Sequence, residues 1–310
     1  MMQKALTKFY TALDMQCRKG DPEQVERFLL EREATLRKDG VEQEGERIAV
    51  YNELGLFYRS TGQYEQSVSA FHAAAKQIAV EMGENSSQYA AVLNNLAGTY
   101  RLMGSFQEAM ALFEKAVQIY CCNGEQQAYA YASVLNNMAM VYRETKQLEA
   151  AIAYSEDALT ILETIPECKE ETAVTYNNLT ALYHSVGNAQ KAQDCAQQAI
   201  AWFERCADTK NMHYAAGMNS LAGFLYADGA YRQAVELYQK SAAYTKRFFG
   251  ENVDYAVTCQ NMYWVYEKLG QRSQAIEVLE QAEAIFRERL GAGHERTRMV
   301  ADDLKRLKSA

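Results

Sequence analysis

Adjacent asparagines recur along this chain at a nearly fixed step, as Asn94–Asn95, Asn136–Asn137 and Asn177–Asn178. Single amides extend the register to Asn52, Asn219 and Gln260, so one column of amides runs at steps of 41 or 42 residues. Asparagine inside a helix costs roughly 0.5–0.7 kcal/mol relative to alanine, so repeated placement needs an offsetting interaction. A carboxamide both donates and accepts, which matches the alternating C=O and N–H groups of an extended peptide backbone. A column of such groups can hold a chain without reading its side chains. Seven residues after the first three amides stand Arg59, Arg101 and Arg143. Guanidinium groups of this kind suit carboxylates through paired hydrogen bonds. The later amides are followed instead by His184, Tyr226, Trp264 and Glu267. The chemistry on offer is recognition rather than bond-making.

Competing chemistries find no support in the sequence. His72, His184, His213 and His294 form no pair at metal-ligand spacing, and Cys121–Cys122 are adjacent rather than set in a CxxC. Neither a metal site nor a cofactor is expected. "LAGFLYADGAY" (Leu221–Tyr231) reads as a helix and its turn, not as a strand-to-helix phosphate loop. No signature unites a serine, a histidine and an aspartate, so an enzyme is not expected. A net charge of −8 argues against nucleic acid and against an anionic membrane surface as partner. No run of about 18 apolar residues could span a bilayer, and the start of the chain lacks the apolar stretch of a signal peptide. Seven scattered cysteines, an odd number, point to reduced thiols and hence to the cytoplasm.

A repeat must position these amides. An aromatic residue or leucine recurs with them at Tyr58, Tyr100, Tyr142, Tyr183, Leu225 and Tyr266. Four residues later come Gly62, Gly104, Lys146, Gly187, Gly229 and Gly270. Small residues follow at Ser67, Ala109, Ala151, Ala192, Ala234 and Ala275, and again at Ala74, Ala116, Ala158, Ala199, Ser241 and Ala282. Each unit reads as a helix, a short turn near the glycine and a second helix. In one unit the first helix covers about Tyr89 to Leu102, with Leu93, Leu96, Ala97 and Tyr100 on one face. The second covers about Phe106 to Tyr120. No such pair buries its apolar face alone, so the units must stack.

Leu96–Ala97, Tyr100, Ala109, Phe113 and Ala116 resemble the signature of the tetratricopeptide repeat, and six units over residues 47–294 carry it. The long step, the "LNNLA" of Leu93–Ala97 and the stretch Phe248–Met262 are similar to the kinesin-light-chain variety of that repeat. The resemblance implies an all-α, right-handed superhelical solenoid of antiparallel helix pairs. Residues 1–40 read as a degenerate first pair turning at Gly20, with Asp21 and Pro22 opening its second helix. Residues 295–310 read as a C-terminal capping helix, with Val300, Leu304 and Leu307 inward and Arg298, Asp303 and Lys305 outward. One array over residues 1–310 is expected, with no second domain.

Successive helical residues turn by about 100°, so the two asparagines of a pair face different ways. Asn94 shares its stripe with Ala91, Gly98 and Arg101, whereas Asn95 turns toward a neighbouring unit. In tetratricopeptide repeats the stripe of Asn94 lines a concave groove. The resemblance therefore implies a peptide-binding groove of Asn52, Arg59, Asn94, Arg101, Asn136, Arg143, Asn177, His184, Asn219, Tyr226, Gln260 and Trp264. Gly98, Ala181 and Gly223 would leave room for a ligand backbone, and Asn95, Asn137, Asn178 and Asn261 would bond between units. The expected function is a non-catalytic scaffold that holds an extended peptide or unstructured partner segment, acidic toward the arginine end. Two alternatives stay open: a peptide-sensing receptor whose solenoid changes pitch, and an architectural homo-oligomer. The first amide column serves either a ligand or the junction between repeats.

Overall fold

A computed structural model of the chain describes residues 2–17, 21–38, 44–206 and 212–309. Fifteen helices and no strand occur among these residues. By its internal contacts the chain divides into two units, residues 1–161 and 162–310. The first opens with α1 (Met2–Cys17) and α2 (Pro22–Lys38). It continues with α3 (Glu44–Ser60), α4 (Tyr64–Glu81), α5 (Ser87–Leu102), α6 (Phe106–Cys122), α7 (Tyr129–Glu144) and most of α8 (Leu148–Leu162). The second holds α9 (Lys169–Ser185), α10 (Ala189–Glu204), α11 (Met212–Ala227), α12 (Tyr231–Phe249), α13 (Val253–Lys268), α14 (Arg272–Leu290) and α15 (Glu295–Ser309). This is an all-α repeat fold of helix pairs. None of its helices, among the described residues, is long and apolar enough to cross a membrane.

The fixed distance between the periodic tyrosine and the glycine is a helix-ending device. Gly104 N–H donates to Arg101 O at 3.0 Å, and Ser105 N–H donates to Tyr100 O at 2.9 Å. This crossed pair satisfies two carbonyls that a helix end would otherwise leave bare, and it needs a left-handed residue at the glycine position. The same two bonds recur at Gly62, Lys146, Gly187, Gly229 and Gly270. Five of the six turns use glycine; Lys146 alone takes φ +63° with a side chain. A left-handed L-residue costs roughly 1–2 kcal/mol, and glycine returns part of that as unfolded-chain entropy. Lys146→Gly is therefore expected to stabilise the protein by about 0.5–1 kcal/mol. Urea unfolding checks this: the midpoint should rise at unchanged slope, and an unchanged or lower midpoint refutes it.

Close helix approach rests on the two columns of small residues. All twelve, from Ser67 and Ala74 to Ala275 and Ala282, are 0% exposed. Larger neighbours fill the space beside them: Phe71, Phe113 and Phe286 are also 0% exposed. In the first unit α5, α6 and α7 share one core through Leu93, Phe113, Tyr120, Val134 and Met138. In the second, one core runs through α11 to α15 and includes Tyr263, Leu279, Phe286 and Val300.

Both ends of the chain pack as helices. Asp21 caps α2, its Oδ1 accepting from Glu23 N–H at 3.0 Å, with Pro22 in the first turn. Phe9 of α1 stacks on Phe28 of α2 at 6.1 Å between ring centroids. Gly20, the expected turn of this pair, lies outside the described residues. At the other end Val300 and Leu304 of α15 are buried while Arg298 and Lys305 are exposed. Asp303, expected to face outward, is half-buried instead and accepts from the Tyr263 hydroxyl at 3.3 Å. A buried phenol needs a hydrogen-bond partner, which draws the carboxylate inward.

Candidate functional site

In the first unit the two amide columns meet each other. Asn95 Nδ2 donates to Asn52 Oδ1 at 3.1 Å, and Asn137 Nδ2 donates to Asn94 Oδ1 at 2.9 Å. Asn94 also donates through Nδ2 to Ser133 Oγ at 3.4 Å, so it is engaged on both sides. Each of these bonds links the first helix of one repeat to that of the next. Asn52, Asn94 and Asn136 are half-buried rather than open. Sequence reasoning could not see the partner Ser133, although a hydroxyl 39 residues beyond the amide is its signal.

The arginines on the same face are unevenly neutralised. Arg101 pairs with Glu144. Arg59 donates instead to the backbone carbonyl of Asn95 at 3.3 Å and lies 6.0 Å from the centre of the Phe71 ring. Burial first, and the charge of Arg101 second, push the Arg59 guanidinium below its ordinary value. Among the described residues no carboxylate pairs with Arg59 or with the half-buried Arg143. Gly98 does not leave room for a ligand: a Cβ there would stand 3.1 Å from Arg59 Nη1, so the guanidinium already occupies that space.

In the second unit Asn219 Nδ2 donates to Thr258 Oγ1 at 2.9 Å, again to a hydroxyl 39 residues on. Its Oδ1 is buried and has no hydrogen-bond partner among the described residues. Asn177 is half-buried, its Oδ1 3.7 Å from where a Cβ on Gly217 would stand. Gln260 departs from the expected open amide. It is 7% exposed, and Arg296 of α15 donates to its Oε1 at 3.3 Å. Helix α15 packs over this amide through Arg296. His184 is exposed with its ring 5.6 Å from Phe224, Tyr226 packs 5.5 Å from Tyr231, and Trp264 is exposed at 38%.

Around Asn219 lies a cavity of about 180 Å³ that sequence reasoning missed. Met212, Ala216 and Asn219 of α11, Phe249 of α12, and Asp254 and Val257 of α13 line it. Ala216, Asn219 and Val257 belong to the amide stripe, so the cavity opens on the expected recognition face. No periodicity marks it, because its walls come from three successive helices and the helical period describes one helix at a time.

A family model described as the tetratricopeptide repeat matches residues 46–121, 131–205 and 214–307. No curated protein matches the chain. Among solved structures the chain is similar to BtubC (BKLC) from P. vanneervenii, at 20% identity and TM-score 0.62, over 77% of this chain and 93% of that one. It is similar to a Podosopora anserina putative kinesin light chain with nearly identical TPR-like repeats, at 21% identity and TM-score 0.54, over 67% and 98%. A Rap protein complexed with competence and sporulation factor gives 16% identity and TM-score 0.63, over 98% of this chain and 85% of that one. At such identities the likeness is one of fold.

Proposed function

The chain belongs to the tetratricopeptide repeat family, and from that premise we propose that it is a non-catalytic scaffold holding an extended segment of a partner protein on its first-helix faces. The observation that carries this reading is the arginine set of the first unit. Arg59, Arg101 and Arg143 share one face and are half-buried, yet among the described residues only Arg101 has a carboxylate partner, Glu144. Guanidinium groups withdrawn from water without a counter-charge favour an incoming acid, since charge-assisted bonds are about twice as strong as neutral ones. The amides play a smaller part than their number implies. Asn94 keeps one Nδ2 proton and one Oδ1 lone pair beyond its bonds to Asn137 and Ser133. The acidic residues of the partner thus supply affinity at the arginines, and the amides add contacts to its backbone.

Pull-down by the full chain tests this, with Arg143→Ala as the main variant because it breaks no ion pair among the described residues. Arg143→Ala combined with Arg59→Ala is expected to weaken the captured partner at least tenfold, which is roughly 1.4 kcal/mol. Arg298→Ala on the exposed side of α15 should change nothing. Equal capture by all three proteins would overturn the reading.

A second reading, that the chain is a peptide-sensing regulator, is favoured by its likeness to the Rap protein complexed with competence and sporulation factor. It requires a ligand-dependent change of shape. X-ray scattering profiles that superimpose with and without the captured segment would remove it.

A further inference from the structure

The cavity around Asn219 has walls of one kind and polar groups of another. Met212, Ala216, Phe249 and Val257 make it apolar, while Asp254 is its one carboxylate. Asn219 contributes to the wall but no free polar atom: its Nδ2 donates to Thr258 Oγ1, and its Oδ1 is buried away from solvent. Asp254 is exposed, and no cation among the described residues pairs with it. An occupant that answers both the apolar walls and this carboxylate has a long apolar stem ending in a cation. A cavity of about 150 Å³ holds a benzene ring, so about 180 Å³ admits one such side chain.

We infer that this cavity is a side-chain pocket for a lysine or arginine of a bound partner segment. The stem lies along Phe249 and Val257, and the charged head meets the Asp254 carboxylate at the rim. His213 also lines the cavity and is its one other titratable wall. The inference rests on the scaffold reading only for the source of the side chain; the pocket itself can be tested without a partner.

The probes are N-acetyl-lysine methylamide and its uncharged counterpart N-acetyl-norleucine methylamide, titrated into the full-length protein at pH 8. Methyl NMR signals of Ala216 and Val257 report on the pocket, with exposed Met299 as a remote control. The lysine probe is expected to shift both reporters saturably and to bind about threefold to tenfold more tightly than norleucine. Asp254→Asn should erase that preference, and Ala216→Leu, at an exposed helical position, should abolish the shifts. Norleucine binding as well as lysine, no shift at the reporters, or binding that survives Ala216→Leu each overturns the proposal. If Ala216→Leu does not fold, Asp254→Asn decides alone. Lysine binding here with no partner captured by the arginine face would sink the scaffold reading and leave the pocket standing. Capture of a partner with no lysine preference at the pocket would do the reverse.

Discussion

Phe71→Ala is expected to destabilise the first unit by roughly 3–5 kcal/mol, a large part of the roughly 5–15 kcal/mol that holds a domain folded. Phe71 is 0% exposed, and its ring lies so close to Gly55 that a Cβ there would stand 2.6 Å from Cε1 and 2.7 Å from Cδ1 and Cζ. The helices cannot move apart to relieve such a contact. Ser67 Oγ, on the helix of Phe71, donates to Gly55 O at 2.8 Å and lies 3.0 Å from Thr99 Oγ1 of the next repeat. Gly55→Ala should therefore be destabilising although alanine improves helix propensity by about 1 kcal/mol. Overpacking of this kind costs about 1–3 kcal/mol, which wins. Phe71→Leu frees the space the new methyl needs, so the double variant Gly55→Ala, Phe71→Leu should be more stable than the two single losses imply. A coupling of about 1–3 kcal/mol in urea unfolding is the expected result. Strict additivity would show that the ring and the glycine do not share one constraint. The same ring lies under Arg59, so loss of Phe71 should also loosen the guanidinium that the proposed function needs.

The residues that make helices approach were legible in the sequence because burial repeats with the chain. Every member of the two small-residue columns is fully buried. The tyrosine-to-glycine spacing was visible as well, although its cause lies in two crossed backbone bonds at each turn. What the helical period cannot supply is the identity of the atom met across a 41- or 42-residue step. Periodicity assigned Asn94 and Asn137 to separate faces, yet a long side chain on one helix reaches the face of the next, and the two amides bond. Gly98 looked like a gap, but the gap is measured from its own helix and is filled by Arg59 from the preceding repeat. Gln260 kept the register of the amides while losing their exposure, because α15 brings Arg296 onto it. The cavity at Asn219 was invisible because α11, α12 and α13 form its walls together, and no single helix shows it.

The amide junction makes the remaining prediction, since it separates the two roles that the asparagines could have. Asn94→Ala removes the acceptor of Asn137 Nδ2 and the donor to Ser133 Oγ. It leaves a half-buried amide unpaired, at about 1–3 kcal/mol, and gains about 0.6 kcal/mol of helix propensity. The loss is larger, so the single variant should melt at lower temperature, as should Asn137→Ala. In the double variant no unpaired amide remains between them, and two gains of helix propensity offset much of the lost bond. The double variant is therefore expected to be no less stable than Asn94→Ala alone, with a coupling of about 1 kcal/mol or more. Additive losses would mean that the two side chains act independently. Partner capture then reads the other role: if the double variant keeps its stability and also keeps its partner, these amides join repeats and the affinity resides in the arginines. If stability is kept and capture falls, the spare proton and lone pair on Asn94 belong to the ligand.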